Sequence, residues 1–403
     1  MNILLTTMFS YPQKGGLGSY VRELAKALMN QGHIVDIFAC HPSYTGYWLI
    51  SSAKIIETRE IRTSDFYRWH PQLTGDISKL DSWTTERELE RYTFELAALQ
   101  LDLGKYDLIH AQDVVATRVM AEIIGYRTPI VQTIHGSVTH QILMEQGLSV
   151  KTTDTWKYAC HMEWLGVQLS CVSIVPSKWL MNVILQNSKV SQEHFKVVAN
   201  AINVEEFLDA MRSSNLEMHQ LSRNIITCIG HLSELKGQRY LIQALGQLNN
   251  WRQDWTCWLV GDGTERRFLE HLCRELHLEH RVQFLGYRED IPALLQRTDI
   301  FVLPTLTENY PYSLVEAQAV GTAIIASKVG GVPEVLDDGV TGLLVPPADV
   351  NSLSLALKRL LDDDGLRYHL GENCKKLRRE KLSITTMMKE LNHIYELALE
   401  GVT

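Results

Sequence analysis

Two glutamates separated by seven residues lie where a strand-like segment gives way to a helical one. Residues 304–316 contain Glu308, Pro311 and Glu316. Because proline breaks a helix interior but suits a first turn, we expect Glu308 in a loop and Glu316 about one turn into the next helix. Carboxylates accept hydrogen bonds from sugar hydroxyls, and the amino end of a helix stabilises a diphosphate. The segment predicts a binding element for ribose, phosphates and a sugar; a capped surface helix with two solvated acids is the alternative.

Further turns of the second half follow strand-like segments in the same way. Residues 230–237 carry His231 and Lys236, and the other turns are residues 261–263 and 330–334. A lysine at the mouth of a sheet supplies a point charge for a leaving phosphate. Each turn alone is more often ordinary structure. Together they predict a site, because open α/β sheets bind ligands at the carboxyl edge where these turns converge.

The first half offers a glycine loop and a histidine. Gly15, Gly16 and Gly18 lie between a strand-like and a helical segment, where the backbone can approach an anion. Because Val21 stands three residues after Gly18, the dinucleotide-binding fingerprint is incomplete, and a tight turn is as good an interpretation as a phosphate or sugar cradle. His135 also follows a strand-like segment. Lone histidines are more often structural, but its place at a carboxyl edge makes it a catalytic candidate.

Residues that could bind a metal ion lack the required arrangement. His271, His277 and His280 around Cys273 have neither the spacing nor the acid partners of a metal site. The aspartates at 362–364 form an Asp-x-Asp sequence, but no buried strand-like segment precedes them. We therefore expect no metal ion and no cofactor.

Short apolar runs alternate with amphipathic helical stretches, as is typical of parallel sheets built from βαβ units. The pattern restarts in the second half, so we predict two Rossmann-like domains of about equal size, residues 1–199 and 200–384, with a cleft between them. Residues 197–217 show no sustained apolar face after a strand-like start, which places the hinge near Asn200. The final helix, within residues 385–403, could pack on either domain. The predicted strands are residues 3–7, 34–39, 108–110, 130–133, 172–176, 224–230, 256–260, 282–285, 300–303, 323–326 and 342–345.

Composition excludes several classes of protein. With 403 residues, 45% of them apolar, the chain is large enough for two cores. A formal net charge of -8 argues against binding to nucleic acid and disfavours an anionic membrane surface. Seven scattered cysteines without a CxxC pair indicate reduced core residues. The first residues are typical of a β-strand rather than a secretion signal, and no apolar run could span a bilayer, so we expect a soluble cytoplasmic protein.

Taken together, these residues resemble glycosyltransferase family 4, whose members are retaining enzymes of the GT-B fold. The resemblance spans nearly the whole chain, and its most specific part is the pair Glu308 and Glu316. It implies that Glu308 contacts hydroxyls of the donor sugar, Glu316 the nucleotide ribose and Lys236 the donor phosphates, while His135 lies near the reacting donor carbon. It also implies an acceptor-binding first domain and a second domain that binds a nucleotide sugar, with uridine the commonest base. The remaining donor contacts implied are Gly15, Gly16, Gly18, His231, Gly286, Tyr287, Asn309, Tyr310, Ser313 and Leu314.

Two positions depart from the family pattern. The family usually has an arginine where this chain has His231, and an arginine fork binds a diphosphate better than a neutral imidazole. Ala201 replaces a common glycine beside the predicted hinge.

The mechanism that the resemblance implies needs no metal. The acceptor hydroxyl attacks from the face that the nucleotide leaves, and its proton passes to a departing phosphate oxygen. Domain closure should assemble the site, since each half carries only part of it.

An aromatic-rich region of the first domain is the predicted acceptor contact, because aromatic faces stack on sugar rings. A glycan or glycoside is the preferred acceptor, although most of these rings could simply pack. A lipid acceptor is suggested by Arg59, Arg62 and Arg68 but opposed by neighbouring acids, so peripheral membrane contact is not indicated. The aromatic residues are Tyr44, Tyr47, Trp48, Phe66, Tyr67, Trp69 and His70.

A nucleotide-sugar epimerase and a non-catalytic sugar-nucleotide-binding module are the alternative functions, whereas a nicotinamide oxidoreductase is disfavoured. The sequence is compatible with a monomer and with a homodimer.

Overall fold

The computed structural model describes residues 1–13, 15–58, 81–125, 127–213 and 224–401. The chain divides into two compact units. Unit 1 comprises Met1–Val198 and Met388–Thr403, and unit 2 comprises Ala199–Met387. The boundary in the structure lies one residue before the predicted one.

Unit 1 is built on an eight-stranded sheet in its described residues, with strand order β4-β3-β2-β1-β5-β6-β7-β8. The pairs β2–β3 and β3–β4 are antiparallel and the others parallel. Short β-branched and aliphatic runs form the parallel strands because they are buried on both faces. The strands are β1 Asn2–Ser10, β2 Ile34–Cys40, β3 Gly46–Leu49, β4 Lys54–Glu57, β5 Leu108–Ala111, β6 Ile130–Thr133, β7 Val172–Val175 and β8 Phe195–Val197.

Helices connect these strands, and polar residues fix where most of them begin. Side chains of Asp81, Asp113, Ser137, Thr153 and Ser177 each accept a first-turn backbone N–H, which satisfies groups that the helix itself leaves unpaired. The helices are α1 Gly16–Asn30, α2 Ser82–Ala98, α3 Val114–Ile124, α4 Val138–Gln146, α5 Asp154–Leu169 and α6 Lys178–Ser188.

Unit 2 contains a six-stranded, wholly parallel sheet of order β11-β10-β9-β12-β13-β14. Its strands are β9 Ile225–Ile229, β10 Thr256–Val260, β11 Val282–Gly286, β12 Ile300–Leu303, β13 Ala323–Ser327 and β14 Leu343–Val345. Its helices are α7 Val204–Ser213, α8 Gln238–Asn249, α9 Arg266–Glu275, α10 Ile291–Gln296, α11 Tyr312–Val320, α12 Val332–Val335, α13 Val350–Asp362 and α14 Asp364–Lys381. All eleven predicted strands are confirmed, with ends that differ by at most three residues.

The strand order of each sheet reverses at one place. In unit 1 the chain runs from β1 outward through β2 and then returns to pair β5 with the other side of β1. In unit 2 it runs from β9 through β10 to β11 and returns to pair β12 with β9. Loops that leave the two central strands then diverge to opposite sides, which opens a crevice at their carboxyl ends. The topology therefore directs attention to the loops after β1, β5, β9 and β12.

One local prediction is wrong. The sequence of residues 197–217 predicts no sustained apolar face after a strand-like start, yet α7 occupies Val204–Ser213. Asn203 Oδ1 accepts the N–H of Glu206 at 3.2 Å and begins the helix, and Phe207 packs against the core of unit 2. Val204, Phe207, Leu208 and Met211 are all half-buried at helical spacing, so this short helix has an apolar face.

The last helix, α15 Ile384–Glu400, begins in unit 2 and belongs to unit 1 from Met388 onward. Its buried residues keep the predicted helical spacing, since Leu391, Ile394, Tyr395 and Ala398 are at most 3% exposed. Among the described residues, no helix is both long and apolar enough to cross a membrane.

Candidate active site

An ion pair joins the two loops at the strand-order reversal of unit 2. Lys236 ends the single 3-10 turn Glu234–Lys236 that follows β9, and Glu308 lies in the loop after β12. The Lys236 ammonium donates to Glu308 Oε2, and the two side chains are 33% and 15% exposed. A cation and a carboxylate are thus held together where the topology favours ligand binding, and both keep some access to solvent.

Backbone contacts fix the Glu308 loop from both sides, and two glycines permit them. Gly330 has φ +55°, and a Cβ there would lie 1.8 Å from the carbonyl oxygen of Glu308. That oxygen accepts the N–H of Gly331 at 3.0 Å. Gly237 has φ +68°, and its Cβ would lie 2.1 Å from the carbonyl oxygen of Pro304. Any side chain at either glycine would displace the loop that carries Glu308.

Two further bonds tie the same loop to the turn that carries Lys236. The N–H of Leu306 donates to the carbonyl of Leu235 at 2.8 Å, and Thr305 Oγ1 donates to the same carbonyl at 3.0 Å. The relative position of the lysine and the glutamate is therefore set by the backbone, not only by their mutual attraction.

Glu316 is the fifth residue of α11, and Pro311 is the N-cap of that helix. This confirms the expected placement of one acid in a loop and the other about one turn into a helix. Leu314 is fully buried in the core, and its N–H donates to the carbonyl of Pro311 at 3.2 Å, so the structure gives it a packing position. Tyr310 lies beside these residues, and burial raises its pKa to about 12.

The remaining predicted donor contacts of unit 2 follow other strands of the same edge. His231 is exposed and its imidazole lies directly over Gly263, where an added Cβ would come within 2.8 Å of His231 Cε1. Gly286, at the end of β11, accepts the N–H of Gly261 at 2.8 Å, and Tyr287 is 46% exposed. Parallel pairing places all of these turns on one edge with Lys236 and Glu308; the same holds for Asn309 and Ser313, which flank Pro311.

In unit 1, the loop after β1 leads into α1. Gly15 is the N-cap of α1, Gly16 is its first residue, and Ser19 donates to the Gly15 carbonyl at 3.0 Å. A Cβ at Gly18 would lie 2.1 Å from the carbonyl oxygen of Gln13, so this position must be glycine for the loop to fold back on the helix. Lys14 lies outside the described residues.

His135 follows β6 and is held from two sides. Its Nε2 lies 3.1 Å from Gln112 Oε1, and its ring meets Tyr20 edge to face with the centroids 4.6 Å apart. Burial lowers the pKa of His135 to about 4, so the imidazole is neutral at physiological pH. A neutral imidazole can donate or accept a hydrogen bond but cannot neutralise a phosphate.

Comparison with known proteins shows which family the chain belongs to. Residues 14–206 match the family described as Glycosyltransferase Family 4, and residues 213–377 match that described as Glycosyl transferases group 1. An uncharacterised glycosyltransferase from Methanocaldococcus jannaschii is 30% identical over 99% of both chains. The chain belongs to glycosyltransferase family 4.

Other relatives of this family 4 glycosyltransferase support the assignment and the fold. The D-inositol 3-phosphate glycosyltransferase of Corynebacterium kroppenstedtii is 31% identical over 96% of this chain and 86% of that protein. Sucrose-phosphate synthase from Thermosynechococcus elongatus has a TM-score of 0.74, with 21% identity and full coverage of both chains. Anabaena HepE, crystallised with UDP, has a TM-score of 0.69 at 20% identity and covers 98% of this chain, which covers 100% of HepE. The predicted GT-B fold and glycosyltransferase activity are confirmed.

The aromatic residues predicted to contact the acceptor differ from one another. Tyr47 is 6% exposed and packs on Phe38, so it is a core residue of the glycosyltransferase. Trp48 donates to the Tyr11 carbonyl at 3.0 Å, whereas Tyr44 is 76% exposed. Of the described members, Tyr44 alone presents most of its ring to solvent. The others lie outside the described residues, as do several nearby charges: Phe66, Tyr67, Trp69, His70, Arg59, Arg62, Arg68, Glu60 and Asp65.

The aspartates at 362–364 serve as helix caps and ion-pair partners. Asp362 pairs with Lys358 and Arg252, Asp364 pairs with Arg367, and Asp363 is the N-cap of α14. Within the described ranges, no group of three or more His, Cys, Asp or Glu side chains is arranged to hold a metal ion.

A buried polar network near His135 is not predicted by the sequence. His110 lies between Thr133 and Tyr395, with Nε2 2.8 Å from Thr133 Oγ1 and Nδ1 2.8 Å from the Tyr395 hydroxyl. Tyr20 reaches the same threonine at 3.3 Å. Burial lowers the pKa of His110 to about 3. The available signal was a histidine and a threonine at the carboxyl ends of adjacent strands; the contribution of Tyr395 from α15 could not be read from spacing.

Proposed function

We propose that this enzyme is a retaining glycosyltransferase that moves a sugar from a nucleotide diphosphate sugar, with uridine as the base, to a hydroxyl of a glycan, glycoside or small molecule. The carrying observation is the Lys236–Glu308 pair, fixed by backbone contacts at the strand-order reversal of unit 2. UDP in the crystal structure of HepE, which shares the fold, supports the choice of base.

In this proposal unit 2 binds the donor. Lys236 neutralises the charge that develops on the diphosphate as the anomeric bond breaks. Glu308 accepts hydrogen bonds from hydroxyls of the donor sugar, and Glu316 accepts hydrogen bonds from hydroxyls of the ribose. The amino end of α11 offers N–H groups to the phosphates. Positive charge from the protein thus takes the place of a metal ion.

Unit 1 binds the acceptor in this proposal. The acceptor hydroxyl attacks the anomeric carbon from the face that the diphosphate leaves. The bond between that carbon and the phosphate oxygen breaks, and the hydroxyl proton passes to that oxygen. Because Glu308 is paired with Lys236, it is a poor nucleophile, which supports direct attack by the acceptor. His135, neutral at physiological pH, donates a hydrogen bond near the reacting carbon.

All seven cysteines of the chain are free. Thiols persist in the reducing cytoplasm and pair in oxidising compartments. Their state supports the proposal that the enzyme works in the cytoplasm.

The test is binding of a panel of nucleotide diphosphate sugars by calorimetry, with and without chelator, to the wild type and to Glu316→Ala. We expect one donor to bind equally well with chelator and to lose about tenfold or more in affinity in the variant, the scale of a lost charge-assisted bond. Glu275→Ala, which removes an exposed acid of α9, is the control and should bind as the wild type does.

Further outcomes separate the alternatives. Dependence of binding on a divalent ion would refute the metal-independent site. Release of free nucleotide with an altered sugar and no acceptor would indicate an epimerase, and tight binding without turnover on any acceptor or water would indicate a non-catalytic module. With an acceptor in hand, NMR of the product would show whether the anomeric configuration is retained.

A further inference from the structure

A buried carboxylate lies behind the turn that follows His135. Glu163, on α5, is 0% exposed. Its Oε1 accepts from Ser137 Oγ at 2.8 Å and from the backbone N–H of Thr139 at 3.1 Å. Its Oε2 accepts from Thr139 Oγ1 at 3.0 Å and from Ser188 Oγ at 2.6 Å. All four donors are uncharged, so the carboxylate is held by hydrogen bonds alone.

Three of these four bonds go to one short turn. Ser137 is the N-cap of α4 and also accepts the N–H of His140 at 3.0 Å. Thr139 supplies a first-turn N–H that the helix leaves without an internal acceptor. Gly136 alone separates Ser137 from His135. Glu163 therefore fixes the backbone immediately after the histidine, while Gln112 and Tyr20 hold its ring.

Stability alone does not explain an acid at this position. Burial raises the pKa of Glu163, although its hydrogen bonds oppose that effect. A buried charge is costly, and an apolar side chain of similar volume often packs as well or better. The carboxylate does, however, provide four acceptor positions in one plane, which no apolar residue can offer.

We propose that Glu163 is a positioning residue that fixes residues 135–139 and thereby aims the imidazole of His135. The inference rests on the role of His135 in the proposed function. Glu163 acts through the turn and does not contact substrate. Small displacements of a reacting group cost catalysis much more than they cost binding, so the effect should fall on turnover.

A matched pair of variants tests this with little risk to the fold. Thr139→Val removes the bond from the Thr139 hydroxyl to Glu163, together with the contacts of that hydroxyl with Ser137 Oγ and Asn187 Nδ2. Ser188→Ala removes one bond to the end of α6, away from the turn. Glu163→Leu removes both acceptor oxygens and with them all four bonds, and Glu163→Gln keeps the shape and the Oε1 acceptor. With UDP-glucose as the donor probe, or whichever donor the panel selects, we expect kcat of Glu163→Leu to fall about 10- to 100-fold with the donor KM within about twofold.

The other variants grade the effect. Thr139→Val should lose several-fold in kcat, Ser188→Ala should stay near the wild type, and Glu163→Gln should recover most of the loss. Equal losses in Thr139→Val and Ser188→Ala, or a loss that follows the melting temperature, would show that the network is only structural and would overturn the proposal.

An NMR measurement stands apart from activity. The chain has 15 histidines, and the side-chain nitrogen signals of His135 can be assigned by their loss in His135→Gln. We expect these signals to move in Thr139→Val and in Glu163→Leu, while those of His271 in unit 2 stay fixed. Unmoved His135 signals would overturn the positioning role. If the His135 signals move in these variants but the wild type transfers no sugar, the proposed function is refuted and the positioning role stands.

Discussion

The candidate sites of the two units of this glycosyltransferase are built from opposite kinds of chemistry. In unit 2 a lysine and a glutamate, both partly exposed, are paired on loops that glycine contacts hold in place. In unit 1 the corresponding edge carries two histidines, and burial keeps the imidazoles of His110 and His135 neutral. Both sites lie at the point where the strand order of their sheet reverses, so topology alone does not set their chemistry.

The difference indicates a division of roles. A charged, partly solvated site suits a diphosphate, whose charge increases as the sugar leaves. A neutral, partly buried site suits the hydroxyl groups of sugars and acceptors, because a neutral imidazole can exchange hydrogen bonds without repelling or trapping ions.

The largest effect should come from removing the charges of unit 2. We expect Lys236→Met and Glu308→Gln each to reduce the rate of transfer by about 10²- to 10³-fold, the scale of a lost electrostatic contact to a developing charge. Lys236→Met should also weaken donor binding. Initial rates and calorimetry measure both effects.

Lys358→Met is the matched control, because Lys358 pairs with Asp362 on the surface of α13, away from the sheet edge. It should leave transfer unchanged. Changes of less than threefold in both site variants would place the chemistry elsewhere.

A somewhat smaller effect should follow from moving the Glu308 loop without changing its charges. In Gly330→Ala the new methyl group would meet the Glu308 carbonyl at 1.8 Å, so the loop must shift, and we expect transfer to fall about 10- to 100-fold.

Gly339→Ala separates this displacement from backbone strain. Gly339 also has a positive φ, +72°, but nothing lies within 4 Å of an added Cβ. The control should lose about 1 kcal/mol of stability and little activity. Equal activity losses in the two variants would mean that strain, not the position of Glu308, limits the rate.

The sequence predicted much of unit 2 because its site is carried by local motifs. The strand Ile300–Leu303, a turn and the helix Tyr312–Val320 follow one another directly. The surroundings of Glu308, Pro311 and Glu316 could therefore be predicted from the local sequence. Parallel strands then place the other turns on the same edge, and Gly330 and Gly237 are understood only once that packing is seen.

Unit 1 was less predictable because its polar contacts join distant segments. His110 and Tyr395 are 285 residues apart, and Glu163 gives no sign in the sequence of being buried, since a glutamate on a helix is usually solvated. Aromatic composition likewise could not distinguish the packed Tyr47 from the exposed Tyr44.

The pH dependence of stability probes the uncharged side of the comparison. The pKa of His110 falls from 6.5 in the unfolded chain to about 3 in the folded protein. Between these values the unfolded chain binds a proton that the folded protein does not, so stability is lost as pH falls below 6.5. The expected contribution is about 2 kcal/mol between pH 6.5 and pH 5, at about 1.4 kcal/mol per unit of pH.

Urea unfolding of the wild type and of His110→Gln at several pH values checks this. The difference between the two proteins reports His110, because the other groups titrate in both: His135, with a lowered pKa, contributes with the same sign, and Asp113 and Glu163, with raised pKa values, with the opposite sign. Parallel curves would show that folding does not change the pKa of His110, so that burial does not keep this imidazole neutral.

The smallest expected effect concerns the bond between α15 and the sheet of unit 1. Tyr395→Phe removes the hydroxyl 2.8 Å from His110 Nδ1 and should cost about 1 kcal/mol in the free energy of unfolding, the usual net worth of a neutral hydrogen bond. Tyr368→Phe, at a residue 71% exposed, is the control and should cost nothing measurable. Combining Tyr395→Phe with His110→Gln tests the coupling directly. If the double variant loses less than the two single variants together, the bond itself stabilises the docked helix. Strict additivity would mean that α15 is held by its apolar face alone, and the neutral network would then serve the site without securing the helix.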